Sequence, residues 1–208
     1  MLRSSRAALY GAAMVVSALV FTDAAQAASF NYFTFDPPPG MSLTDGKPKN
    51  GLQLKRGKVK LDPRFMRQVV AYKTSEKPGT IVVVTGQKYL YLVLGDGKAL
   101  RYGIGTAKTG FEWNGTHKIT RMREWPDWTP PPEMRKCRPE LPAHMEGGIN
   151  NPLGARALYI GSTLYRIHGT NEPWTIGQDV SSGCIRMVND DVEDLYERVK
   201  IGAKVIVL

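Results

Sequence analysis

The chain has 208 residues, 42% of them hydrophobic and 23% charged, with a formal net charge of +9. That is room for one well-filled domain and too little for two comfortable ones. So basic a chain raises nucleic acid as a partner in the cytoplasm; in an exported protein the charge points instead to anionic envelope polymers, or to a generally solvated basic surface.

Export is what the N-terminus argues for. In "MLRSSRAALYGAAMVVSALVFTDAAQAASF", Arg3 and Arg6 precede an apolar run from Ala7 to Phe21, and small residues follow as far as "AQA". This is the pattern of a secretory signal peptide over residues 1–27, cleaved after Ala27. The run is shorter than the roughly 20 residues that span a bilayer, and no cysteine near the cut could carry a lipid. The expected product is a soluble periplasmic protein with no integral membrane anchor.

Residues 28–78 read as an arm, extended or partly disordered, rich in Pro, Gly and Lys. Within it "LDPRFMRQVVAY" places Phe65, Val69 and Tyr72 at helical spacing after an Asp-Pro start, so a short helix or an extended docking segment is expected there. Strands follow. "GTIVVVT", "KYLYLVL" and "KALRYGIGT" are rich in β-branched and aromatic residues, and "GDG" between the last two signals a hairpin. "THKITRMREW" gives another strand, "ALYIGSTLYRIHGT" two more around Gly161 and Ser162, and "AKVIVL" the last. Before it, Asn189 is placed to cap a helix opened by Asp190 and Asp191, with Val192, Leu195 and Val199 on one face and Gly202 as its stop. The fold class expected from this order is mainly β, with a short helix near the C-terminus. There is no internal repeat, phosphate loop, dinucleotide fingerprint or metal-ligand spacing.

The chemistry concentrates in "YRIHGTNEPWTIGQDVSSGCIRM". His168 closes a predicted strand, and Cys184 follows a loop containing Pro173, Gly177 and Gly183 that lets the chain fold back on itself. An imidazole beside a thiol takes its proton, and the imidazolium stabilises the thiolate. No acid stands at an obvious place to orient the base, but the Gly169 carbonyl could accept its second N–H. Gly183 allows a tight turn, so the amides of Gly183 and Cys184 could form an oxyanion hole. On spacing alone, a buried cysteine and a core histidine explain these residues equally well.

The full set of motifs resembles the L,D-transpeptidase catalytic domain, or YkuD domain. "IHGT" followed by "SSGCIRM" carries the resemblance, which extends through "RYGIGTAKTGFEWNGTHKI", "WPDWTPPPEM", "NNPLGARALYI" and "NDDVEDLYERVKIGAKVIVL", about residues 79–208. It implies a β-sandwich or barrel-like catalytic domain acting on peptidoglycan stem peptides, with no metal and no organic cofactor. It implies further that Cys184 attacks the bond between an L-centre diamino residue and D-Ala, forming a thioester. An amine takes this from a second stem or an envelope protein; in a hydrolase of the same design water would take it, and a non-catalytic binding module would need neither Cys184 nor His168. Many members have histidine where this chain has Ser182, which either hydrogen-bonds in the site or satisfies the turn. Arg186 is placed to hold a substrate carboxylate, or else to pair with an acid such as Asp190. Trp125 and Trp128, among prolines, suit a semi-rigid lid, Trp128 touching substrate, or pack on the domain. His117 and His144 read as structural. Cys137 is read as a loop thiol, with a disulfide to Cys184 as the alternative.

Overall fold

The computed structural model describes residues 61–208; the leader expected over 1–27 and the expected arm as far as 60 lie outside them. In chain order the described residues form β1 (Gln68–Ala71), β2 (Ile81–Val84), β3 (Tyr89–Gly95), β4 (Lys98–Gly103), β5 (Thr106–Ala107), β6 (Gly115–Glu124), α1 (Pro132–Cys137), β7 (Arg156–Ile160), β8 (Arg166–His168), β9 (Asp179–Ser181), β10 (Ile185–Arg186), α2 (Asn189–Arg198) and β11 (Lys204–Val207). One nine-stranded sheet runs β1-β4-β3-β2-β11-β6-β7-β8-β10, and β5 pairs with β9 apart from it. The fold is mainly β with its longer helix near the C-terminus.

Alternation along the strands decides what is inside. In β2, Ile81 and Val83 enter the main core while Val82 joins a second cluster with Tyr91, Val93 and Ala99, so both faces of this central strand are covered. The Gly95-Asp96-Gly97 turn, left-handed at all three residues, joins β3 to β4. β6 serves two partners. Residues Gly115 to Lys118 pair with β11 and Ile119 to Glu124 with β7, the register shifting between Ile119 and Arg121. Beyond β4, Gly105 exchanges two 2.9 Å backbone hydrogen bonds with Arg186 of β10, the strand at the far end of the sheet. The sheet therefore nearly closes on itself around the core, and α2 seals it with Val192 and Leu195, both fully buried.

The tail of the arm is part of the sheet: Pro63–Phe65 form a 3-10 turn capped by Asp62, and β1 then pairs antiparallel with β4, so of the two forms expected there the segment takes the extended, docked one. Phe65 is buried between Gly103 and Gly177, either of which would collide with its side chain or backbone if it carried a Cβ. Asn189, read as a cap, is the first residue of α2, and Val188 occupies the cap position without a side-chain bond. Among the described residues no helix is long and apolar enough to cross a membrane.

Candidate active site

β8 and β10 run parallel in register, Ile167 beside Ile185 and His168 beside Arg186. Ile167 and Ile185 point into the main core. Alternation then turns His168, Arg166 and Arg186 to the opposite face, and Cys184, one residue before Ile185, falls on that face too. This parallel pairing, with the sixteen residues 169–184 between the strands, is what returns the thiol to the imidazole's strand. Met187 N–H extends the ladder to the His168 carbonyl at 2.9 Å.

His168 is 4% exposed, and its Nδ1 lies 2.6 Å from the Gly169 carbonyl oxygen. A carbonyl only accepts, so Nδ1 carries the hydrogen and Nε2 keeps its lone pair. Burial, reinforced by the Arg186 guanidinium, holds the imidazole's pKa down to about 3. Cys184 is a free, half-buried thiol whose pKa burial pushes up, against the opposing pull of Arg166. Burial thus disfavours the charged form of both groups in the resting site.

The turn before the thiol is tied from several sides. Ser181, 5% exposed, donates its hydroxyl to the Cys184 carbonyl at 2.5 Å and accepts the Gly183 N–H at 3.2 Å. The hydroxyl that satisfies the turn is thus Ser181's; Ser182 is exposed. The Gly183 amide is already engaged, so it serves an oxyanion only by exchanging away from Ser181. Gly183 has φ +108° and would press a Cβ into the Tyr165 ring, which stacks on Trp113 at 4.5 Å; the Trp113 Nε1–H donates to the Gly183 carbonyl at 2.7 Å.

Arg186 does make an ion pair, but with Glu172 at 2.9 Å and not with Asp190. Its Nε is buried and has no acceptor among the described residues, as is true of Arg166 Nε. Lys108, from "GTAKTG", joins them: its N–H bonds the Ser181 carbonyl at 2.9 Å, and burial together with Arg186 lowers its ammonium pKa. Sequence reasoning passed over Lys108 as part of a glycine turn; only the β5–β9 pairing brings it here. Asn189 was also missed in its real role. Its Oδ1 accepts the amides of Ala155 at 3.0 Å and Thr170 at 3.1 Å, fixing the backbone just past Gly169. Gly154 and Gly169 leave the space that this side chain fills.

The proline-rich segment is knit together at its base. Trp128, half-buried, exchanges 2.8 Å backbone bonds with Met145, while Trp125 is 38% exposed. The Asn151 side-chain amide, fully buried, donates to the carbonyls of Pro126, Met145 and Glu146. His117 packs edge-on to Trp113, and His144 lies 3.3 Å from the Thr129 hydroxyl.

A buried imidazole of fixed tautomer, a thiol on the same face and a glycine turn bearing amides are the parts that acyl transfer or hydrolysis through a thiol requires. The chain belongs to the L,D-transpeptidase catalytic domain family, YkuD, which it matches over residues 78–207. It is similar to the probable L,D-transpeptidase ErfK/SrfK of Escherichia coli K12, 36% identical over 77% of this chain and 50% of that protein. To the probable L,D-transpeptidase YbiS of the same strain it is 43% identical over 51% of this chain and 36% of that protein. The chain thus spans half or less of the length of these curated relatives. A solved structure from Brucella melitensis, described as a probable carnitine operon oxidoreductase, is 47% identical over 71% of this chain and 96% of that one, with a TM-score of 0.48.

Proposed function

We propose that the chain is a periplasmic peptidoglycan L,D-transpeptidase working through a thioester on Cys184. The observation that carries this reading is the His168 arrangement: the bond from Nδ1 to Gly169 leaves Nε2 as the only proton acceptor, on the face to which strand register turns the thiol. Sγ attacks the carbonyl between the diamino residue and D-Ala as its proton passes to Nε2, so that charge develops only as the attack proceeds, as imidazolium and oxyanion. Nε2 returns the proton to the departing D-Ala nitrogen. An amine from a second stem, or from an envelope protein, then attacks the thioester and gives up its own proton through Nε2 to the sulfur. The Cys184 amide, joined by Gly183 if it leaves Ser181, supports the oxyanion. Arg186, held by Glu172, with Arg166 and Lys108 nearby, makes the site electropositive and suits the stem's carboxylates. Ser182 and Trp128 border the bound peptide. The basic net charge and the leader over 1–27 fit an envelope polymer as target.

The test is mass spectrometry of products from purified disaccharide-tetrapeptides, with and without an added amine. Transpeptidation releases D-Ala and yields a stem joined through its third residue to a second stem or to the amine. Tripeptide alone, whatever the amine concentration, would identify a hydrolase, and unchanged substrate would overturn both readings.

A further inference from the structure

Three of the four backbone groups flanking the thiol are held by side chains. Ser181 Oγ takes the Gly183 N–H and gives its hydrogen to the Cys184 carbonyl, and Trp113 Nε1 holds the Gly183 carbonyl at 2.7 Å. The third of these bonds acts on the Gly183–Cys184 peptide unit itself. That unit is planar and trans, so its carbonyl and its N–H point in opposite directions, and fixing one fixes the other. Glycine at φ +108° has no side chain to restrict rotation of this unit, so without an external hold the peptide is free to turn. The hold comes from a distant segment: Trp113 lies seventy residues away in sequence, between β5 and β6, and its indole is set by stacking within 10° of parallel on Tyr165, just ahead of β8. Trp113 and Gly183 also line one cavity of about 210 Å³, whose wall includes Ile185 but neither Cys184 nor His168.

We infer that Trp113 is a positioning residue whose indole N–H aims the Cys184 N–H at the oxygen of the acyl group under attack. The inference rests on the acyl-transfer reading and adds a residue outside the GC motif to it. Trp113 touches neither substrate nor thiol in this role; it acts through one peptide unit. Its loss should therefore slow reactions that build an oxyanion and spare those that do not.

Two reagents separate these cases. A carbapenem acylates the thiol through a tetrahedral oxyanion, whereas iodoacetamide alkylates the same sulfur by displacement at carbon and needs no oxyanion donor. In Trp113→Phe, which keeps an aromatic ring for Tyr165 and removes the N–H, acylation followed by intact-protein mass spectrometry should slow by about tenfold or more, part of what a lost oxyanion donor costs. Alkylation should change less than about threefold. Should Trp113→Phe not fold by circular dichroism, 3-benzothienylalanine placed at 113 by nonsense suppression removes only the N–H at equal volume, and the same split is expected. Unchanged acylation, or equal slowing of both reactions, would overturn the inference. A wild-type protein that alkylates but never acylates would instead overturn the acyl-transfer reading.

Discussion

Burial holds the His168 imidazole down to about pKa 3 and pushes the Cys184 thiol above its ordinary range, so in the proposed reaction the proton would pass between them only as the thiol attacks. Two outcomes follow at this scale. His168→Ala should slow carbapenem acylation by about 10² to 10⁴, the range for removing a general base, while circular dichroism stays unchanged. A folded variant that acylates at the normal rate would remove His168 from the chemistry. The rate of iodoacetamide alkylation in the wild type should show no step between pH 4 and 7, because burial disfavours the thiolate–imidazolium pair that would create one. Cys184, His168 and the Gly169 carbonyl were legible because motif and strand end lie close in sequence. Lys108, Trp113 and Asn189 were not, since each acts on backbone that only tertiary pairing brings within reach, and Ser181 was overlooked beside Ser182 although its bonds to Gly183 and Cys184 are local. Asn189 shows why: beside Asp190 and ahead of a helical stripe it has every local sign of a cap, yet the amides it satisfies belong to residues 155 and 170.

At the level of elements, the strands were readable wherever β-branched runs were bounded by turn residues, and unreadable where pairing is two or three residues long, as in β5, β9 and β10. The arm's last segment stayed open between helix and extended docking for another reason. Phe65, Val69 and Tyr72 fit a helical period, but four strand residues are too few to display alternation: Val69 faces solvent at 58% exposure while Tyr72 stacks on Tyr91 at 4.7 Å. Phe65 is the anchor. It fills the gap between Gly103, which ends β4, and Gly177, in the loop running from His168 toward the thiol. Phe65→Ala should lower stability by about 3 kcal/mol, the low end for emptying a phenylalanine site, read as a shifted urea midpoint. It should also raise hydrogen exchange at the Gly177 amide, which bonds Ile104 at 3.0 Å. Stability and exchange both at wild-type levels would mean that the segment merely lies on the sheet.

For the molecule as a whole, closure of the sheet draws ionisable groups into places where their protonation is coupled to folding, and two of them act with opposite sign. His168 falls from an ordinary 6.5 to about 3, so between those values the unfolded chain binds a proton that the native state refuses, and stability rises with pH. Asp191, on the first turn of α2 and buried there, is raised from 3.8 to about 6 by that burial, only partly offset by Arg67 at 3.8 Å. Between 3.8 and 6 the native state keeps a proton that the unfolded chain has released, and stability falls as pH rises. Where the windows overlap the two slopes largely cancel. Asp191→Asn removes the falling one and sacrifices only a long ion pair to an arginine that is one-third exposed. The variant should match wild type below about pH 3.8, gain on it steadily up to about pH 6, and stay ahead by about 1–3 kcal/mol at pH 7. Urea unfolding across this range gives the difference curve directly. A gap of constant size at every pH would show that Asp191 ionises in the native state as it does in the unfolded chain, and that α2 covers the core without burying a charge.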